Sequence, residues 1–68
     1  MTTTAETLTR NIRQTIRKAK KAGTVGMSLA NLKQITPTTG LTCDPGEYHR
    51  EFPRIAAQVA ARLSFPVY

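Results

Sequence analysis

Cys43, Asp44 and His49 are the residues of this chain with the chemistry for nucleophilic catalysis or metal binding, and they stand within six positions of one another. A histidine can activate a neighbouring thiol as a thiolate nucleophile. A structural zinc site needs four ligands at recognisable spacing. The chain has a single cysteine and a single histidine, so no zinc set assembles. Proximity along the chain is weak ground for a Cys–His pair, and the expectation is a solvated His49 and a half-buried Cys43. Gly23 and Gly26 bracket too few residues for a phosphate loop, with no strand leading in and no Gly-Lys-Ser/Thr following. The residues therefore point away from an enzyme and from any metal or cofactor.

The basic residues carry more information. Ten Lys and Arg face four Asp and Glu, a formal charge of +6. Residues 1–22 hold six of the cations and one acid, Glu6, whereas residues 23–68 hold four cations and three acids. On a helix turning about 100° per residue, Arg10, Arg13, Arg17, Lys20 and Lys21 share an arc of about 100°. Leu8, Ile12, Ile16, Ala19 and Ala5 fall within about 80° on the other side. Cations about one turn apart on one face match a rod of phosphates, each of which releases counterions when neutralised. A face that only solubilises usually mixes both signs. This one does not, so nucleic acid is the leading expected partner, DNA ahead of RNA, and an acidic protein surface is the second.

The elements that must position these residues are helices. Thr3 followed by Glu6 forms a capping box, apolar residues then recur every three or four positions, and Gly23 stands where a left-handed C-terminal cap belongs. The first helix is predicted over about 4–22. Thr24 to Met27 suit a short extended piece. Ser28 is a good cap for a second helix over about 28–36, stopped by Pro37. A turn-rich loop from Thr36 to Cys43 follows, with Leu41 as its anchor. Asp44, Pro45 and Glu47 give a strong start to a third helix over about 45–64. Pro53 removes a bond to the His49 carbonyl and is expected to kink that helix or break it near Glu51. Residues 65–68 read as a tail folded back over the core.

The result is an all-α, compact three-helix domain. Its expected core is Leu8, Ile12, Ile16, Leu29, Leu32, Ile35, Tyr48, Phe52, Ile55, Val59 and Leu63. Its stability is expected to be a few kcal/mol, about what so short a chain reaches, and partner binding or a homodimer would supplement it. Phe65 and Tyr68 are less easily buried, and three places suit them: over the core, at a dimer contact or in a partner's pocket.

The order of helices, and the segment Met27 to Ile35 with its capping Ser28 and its Leu29 and Leu32, resembles the second helix of helix-turn-helix and winged-helix domains. The connection from Ile35 to Asp44 is longer than an ordinary helix-turn-helix turn, and too few residues follow Leu63 for a two-stranded wing. The resemblance implies that the third helix reads bases through Arg50, Arg54, Gln58 and Arg62, since Arg and Gln pair with guanine and adenine edges. Glu47 and Glu51 on that helix oppose phosphate contact.

Apolar runs are too short for a membrane span. A start of Thr2, Thr3, Thr4 and Glu6 does not suit a secretory signal, so a cytoplasmic protein is expected. The first helix lacks the Trp or Phe of an interfacial membrane helix, and a folded core needs the same apolar face. A second functional reading is a non-catalytic inhibitor or adaptor that blocks or bridges a larger assembly. Small inhibitors carried by phages and other mobile elements, including inhibitors of CRISPR nucleases, are of this size.

Overall fold

Each helix begins at the cap its sequence provides. In the computed structural model, which describes residues 3–68, the Thr3 hydroxyl accepts the Glu6 N–H at 3.1 Å and opens α1, Thr4–Lys21. Ser28 accepts the Asn31 N–H at 3.2 Å and opens α2, Leu29–Ile35. The Asp44 carboxylate accepts the Glu47 N–H at 2.7 Å and opens α3, Pro45–Arg62. Met1 and Thr2, part of the N-terminal stretch weighed as a signal, lie outside the described residues.

The helices are somewhat shorter than expected at their ends, because both long helices finish in the same hydrogen-bonded reversal. The Gly23 and Thr24 N–H groups donate to the Lys20 and Ala19 carbonyls, closing α1. The Ser64 and Phe65 N–H groups donate to the Ala61 and Ala60 carbonyls, closing α3. The residue that turns the chain has positive φ in both cases. At α1 it is Gly23 (φ 93°), which tolerates this without cost, and at α3 it is Ser64 (φ 53°), which does not.

Of the two outcomes expected at Pro53, a kink or a break near Glu51, the break is absent. α3 runs as one helix through Pro53. Pro53 and His49 both stand on the exposed side of the helix, so the His49 carbonyl that loses its donor lies where water reaches it.

The core is made by Leu8, Ile12 and Ile16 of α1, Leu32 of α2, and Phe52, Ile55, Ala56, Val59 and Ala60 of α3. Met27 from the segment before α2 and Phe65 from the C-terminal tail complete it. Leu29, Tyr48 and Leu63 pack at its margin and are only partly buried. Ile35 is a correction, since it is 50% exposed. It is the last residue of a two-turn helix whose Leu32 already points inward, and it borders an open groove lined in part by α1. Of the places open to Phe65, the structure shows the core, where it is fully buried.

Phe65 is held there by the tail. Met27 and Val67 form an isolated parallel bridge. The Met27 N–H donates to the Pro66 carbonyl at 3.1 Å and the Tyr68 N–H to the Met27 carbonyl at 3.2 Å. The Leu29 N–H, at the start of α2, donates to the Tyr68 carbonyl at 2.6 Å. The short extended piece and the folded-back tail are thus one feature. A side chain at Gly26 would place its Cβ 2.9 Å from the Pro66 carbonyl oxygen, so the close pairing depends on glycine there.

The connection between α2 and α3 is fastened to α1. Asn11 is buried, and its Nδ2 donates to the Pro37 and Thr39 carbonyls, both at 3.1 Å. The Thr36 hydroxyl donates to the Leu32 carbonyl at 2.6 Å, and Leu41 packs against the core as the loop's anchor.

Two stability changes are expected. Asn11→Ala removes both donors from the loop carbonyls and should lower the free energy of unfolding by about 1–3 kcal/mol. Ser64→Gly removes a left-handed strain and, less the added freedom of the unfolded chain, should raise it by about 0.5–1 kcal/mol. Urea titration of the two variants beside the parent checks both signs.

Candidate polyanion-binding face

Arg10, Arg13, Arg17, Lys20 and Lys21 are all exposed along the outer side of α1. That side faces away from the core because Leu8, Ile12 and Ile16 take the other one. The five are not equivalent. Lys20 Nζ donates to the Leu63 carbonyl at 2.7 Å, and Leu63 is the C-terminal cap of α3. The C-terminal ends of α1 and α3 therefore meet, and each carries the partial negative charge of its aligned peptide dipoles. Lys18, Lys20 and Lys21 lie in the last turn of α1, where their charge offsets both ends. Arg10 turns toward the loop, with Nη2 lying 3.4 Å from where a Cβ on Gly40 would sit.

Arg13, Arg17 and Lys21 remain. Among the described residues the one ion pair is Glu51–Arg54, so no carboxylate neutralises these three. They form a continuous strip of exposed positive charge over the second half of α1.

The polar face of α3 is of a different kind. Arg50, Arg54, Gln58 and Arg62 are exposed, yet Arg54 is bound to Glu51 through Nε at 3.0 Å and through Nη2 to the same oxygen. Glu47 adds a second carboxylate to the helix's first turn. This surface mixes both signs. It also points away from the α1 strip, because α1 and α3 pack through their opposite, apolar sides. The structure thus divides the predicted binding residues into two separate surfaces and does not gather them into one.

His49 is engaged by Lys33 and not by Cys43. Lys33 Nζ hydrogen-bonds His49 Nδ1, so in this arrangement the ring nitrogen acts as acceptor. The same ammonium lies 5.6 Å from the centre of the Tyr48 ring, within cation–π range. Tyr48 in turn meets His49 edge-on at 5.8 Å and Phe52 at 5.6 Å. Lys33 thereby ties α2 to α3, a role the sequence does not announce because its partners are far along the chain. Cys43 and Tyr48 border a shallow cavity with Leu41 and Pro45. Burial, and then the negative charge that Cys43 carries as a thiolate, push the Tyr48 hydroxyl above its ordinary value of 10.0.

Among the described residues no group of three or more His, Cys, Asp or Glu side chains is placed to hold a metal ion. No described helix is long and apolar enough to cross a membrane. Comparison of the chain with protein-family models, with curated proteins and with solved structures finds no match in any of the three. The functional reading therefore stands on the geometry.

The raised Tyr48 hydroxyl has a consequence for alkaline stability. The folded state holds this proton more tightly than the unfolded chain, so the stabilisation is complete below pH 10 and is lost as pH climbs past it. Tyr48→Phe should flatten that part of the decline, read as the urea midpoint between neutral pH and pH 11 for the two proteins.

Proposed function

We propose that this protein is a small, non-catalytic nucleic-acid-binding regulator of the cytoplasm that contacts phosphates through Arg13, Arg17 and Lys21, with Arg10 at the edge of the footprint. The observation that carries this reading is the unmixed sign of the strip. Three cations stand on successive turns of one rigid helix, exposed and without a carboxylate partner. Such a row suits the regular phosphate spacing of a duplex, which favours DNA over flexible RNA. In this reading Lys20 serves the fold first, because its ammonium is committed to the Leu63 carbonyl.

Base reading by α3 is the weaker part of the helix-turn-helix comparison. Arg54 would have to leave Glu51 to reach a guanine edge, and Glu47 would approach the backbone with the wrong sign. The proposed contact is accordingly with the sugar–phosphate backbone and carries little sequence preference. The inhibitor or adaptor reading has one observation in its favour, the exposed apolar side chains Val25, Ile35 and Tyr68, which phosphate binding leaves unused.

Fluorescence anisotropy with labelled duplex DNA tests the proposal. Log affinity should fall linearly with log salt, with a slope of about −3 for three neutralised phosphates. Reversing Arg13, Arg17 and Lys21 to Glu should cost roughly a hundredfold at low salt, while Arg50→Ala and Arg54→Ala change little. A flat salt dependence, or full affinity in the triple reversal, would remove nucleic acid as the partner.

A further inference from the structure

The surface beside the cationic strip has its own organisation. Between α1 and α2 lies an open groove of about 620 Å³, a size common for ligand and peptide-anchor sites. Five apolar residues, among them Ala22, Met27 and Ile35, line it together with four polar ones, of which Lys18 carries the charge. Three features set it apart from an ordinary surface depression. Ile35 continues the apolar register of α2 and is nevertheless 50% exposed. No carboxylate lines the groove. And Lys21 lies one turn beyond Lys18 on α1, so the rim and the strip together present cations to anything seated there.

An apolar trough with a cationic border selects its occupant by charge as well as shape. A second copy of this chain would bring another +6 against the same rim, which like-charge repulsion disfavours. Nucleic acid satisfies the rim but offers nothing to bury Ile35. We infer that the groove is a docking site for an acidic, amphipathic peptide segment of a partner protein, whose aliphatic side chains cover Ile35, Ala22 and Met27 while its carboxylates meet Lys18 and Lys21. Helix-in-groove recognition works this way, with apolar anchors one turn apart supplying the affinity and flanking charges fixing the register. The site adjoins the proposed phosphate contacts and shares Lys21 with them, while its apolar anchors do not depend on them. With both occupied, the protein would hold an acidic partner against nucleic acid.

The test uses the full chain and a designed helical peptide with leucines on one face and glutamates flanking them, compared with a version in which lysines replace the glutamates. Titration of isotope-labelled protein followed by NMR should move the amide signals of Ala22, Met27 and Ile35 on adding the acidic peptide, and not on adding the lysine version. Ile35→Glu, at an exposed position where folding is expected to survive and is checked by thermal melting, should weaken the peptide roughly tenfold or more and leave duplex-DNA affinity within about twofold. Lys18→Glu should weaken the acidic peptide and improve the lysine version. The inference is overturned by absence of saturable binding, by shifts confined to Arg13 and Arg17, or by peptide affinity indifferent to Ile35→Glu. Sedimentation showing a dimer that Ile35→Glu dissolves would also overturn it, since the groove would then be covered by a second copy. If the DNA titrations fail while the peptide data hold, only the nucleic-acid reading falls.

Discussion

The buried amide of Asn11 governs this small structure more than any single apolar contact. A polar side chain inside so small a core is tolerable only when its donors are used. Both are, on the Pro37 and Thr39 carbonyls. That pair of bonds brings the connection after α2 back onto the first half of α1 and thereby fixes where α3 can begin. With the start of α3 set beside α1, the two long helices rise together and their C-terminal ends arrive at the same place. The meeting of Lys20 with Leu63 is a downstream result.

That arrangement sorts the basic residues by purpose. Two dipole ends of like sign brought together are unfavourable unless cations stand near them, and the last turn of α1 supplies three. Part of the positive charge that looks like a ligand footprint is therefore internal to the fold. What is left over, Arg13 and Arg17 with Lys21 at the junction, is charge that the chain does not consume. The α3 face shows the opposite economy, since Glu51 meets Arg54 locally and Glu47 adds a second carboxylate to the same helix.

Much of this was legible in the residues alone. Thr3, Ser28 and Asp44 each open a helix as their types and spacing require, and the apolar periodicity of α1 and α3 names most of the core. These are local rules acting within one or two turns. The errors fall where a distant segment decides. Ile35 keeps helical spacing, but whether it is covered depends on what another segment brings against the end of a two-turn helix, and there it borders an open groove. Phe65 looks like a tail residue until the pairing of Val67 with Met27 draws it inward. Pro53 leaves α3 unbroken, since a missing hydrogen bond costs little when its carbonyl faces water. The cationic strip could be read from a helical projection, whereas the commitment of Lys20 could not, its acceptor being 43 residues away. Asn11 gave no signal, since a single Asn within a helix usually faces solvent.

The parallel bridge between Met27 and Val67 has a bearing on the order of events during folding. It joins positions separated by two helices and the long connection between them, so its closure carries a large loop entropy and is repaid only when α3 already lies on α1. The tail is then the last piece to dock and the first to leave. Its departure exposes the Phe65 ring and the backbone of the segment before α2 while the caps and the Asn11 clasp stay in place, an excursion of lower free energy than global unfolding. Amide exchange is accordingly expected to be graded, faster at the C-terminal seam than where Leu8, Ile12 and Phe52 interlock.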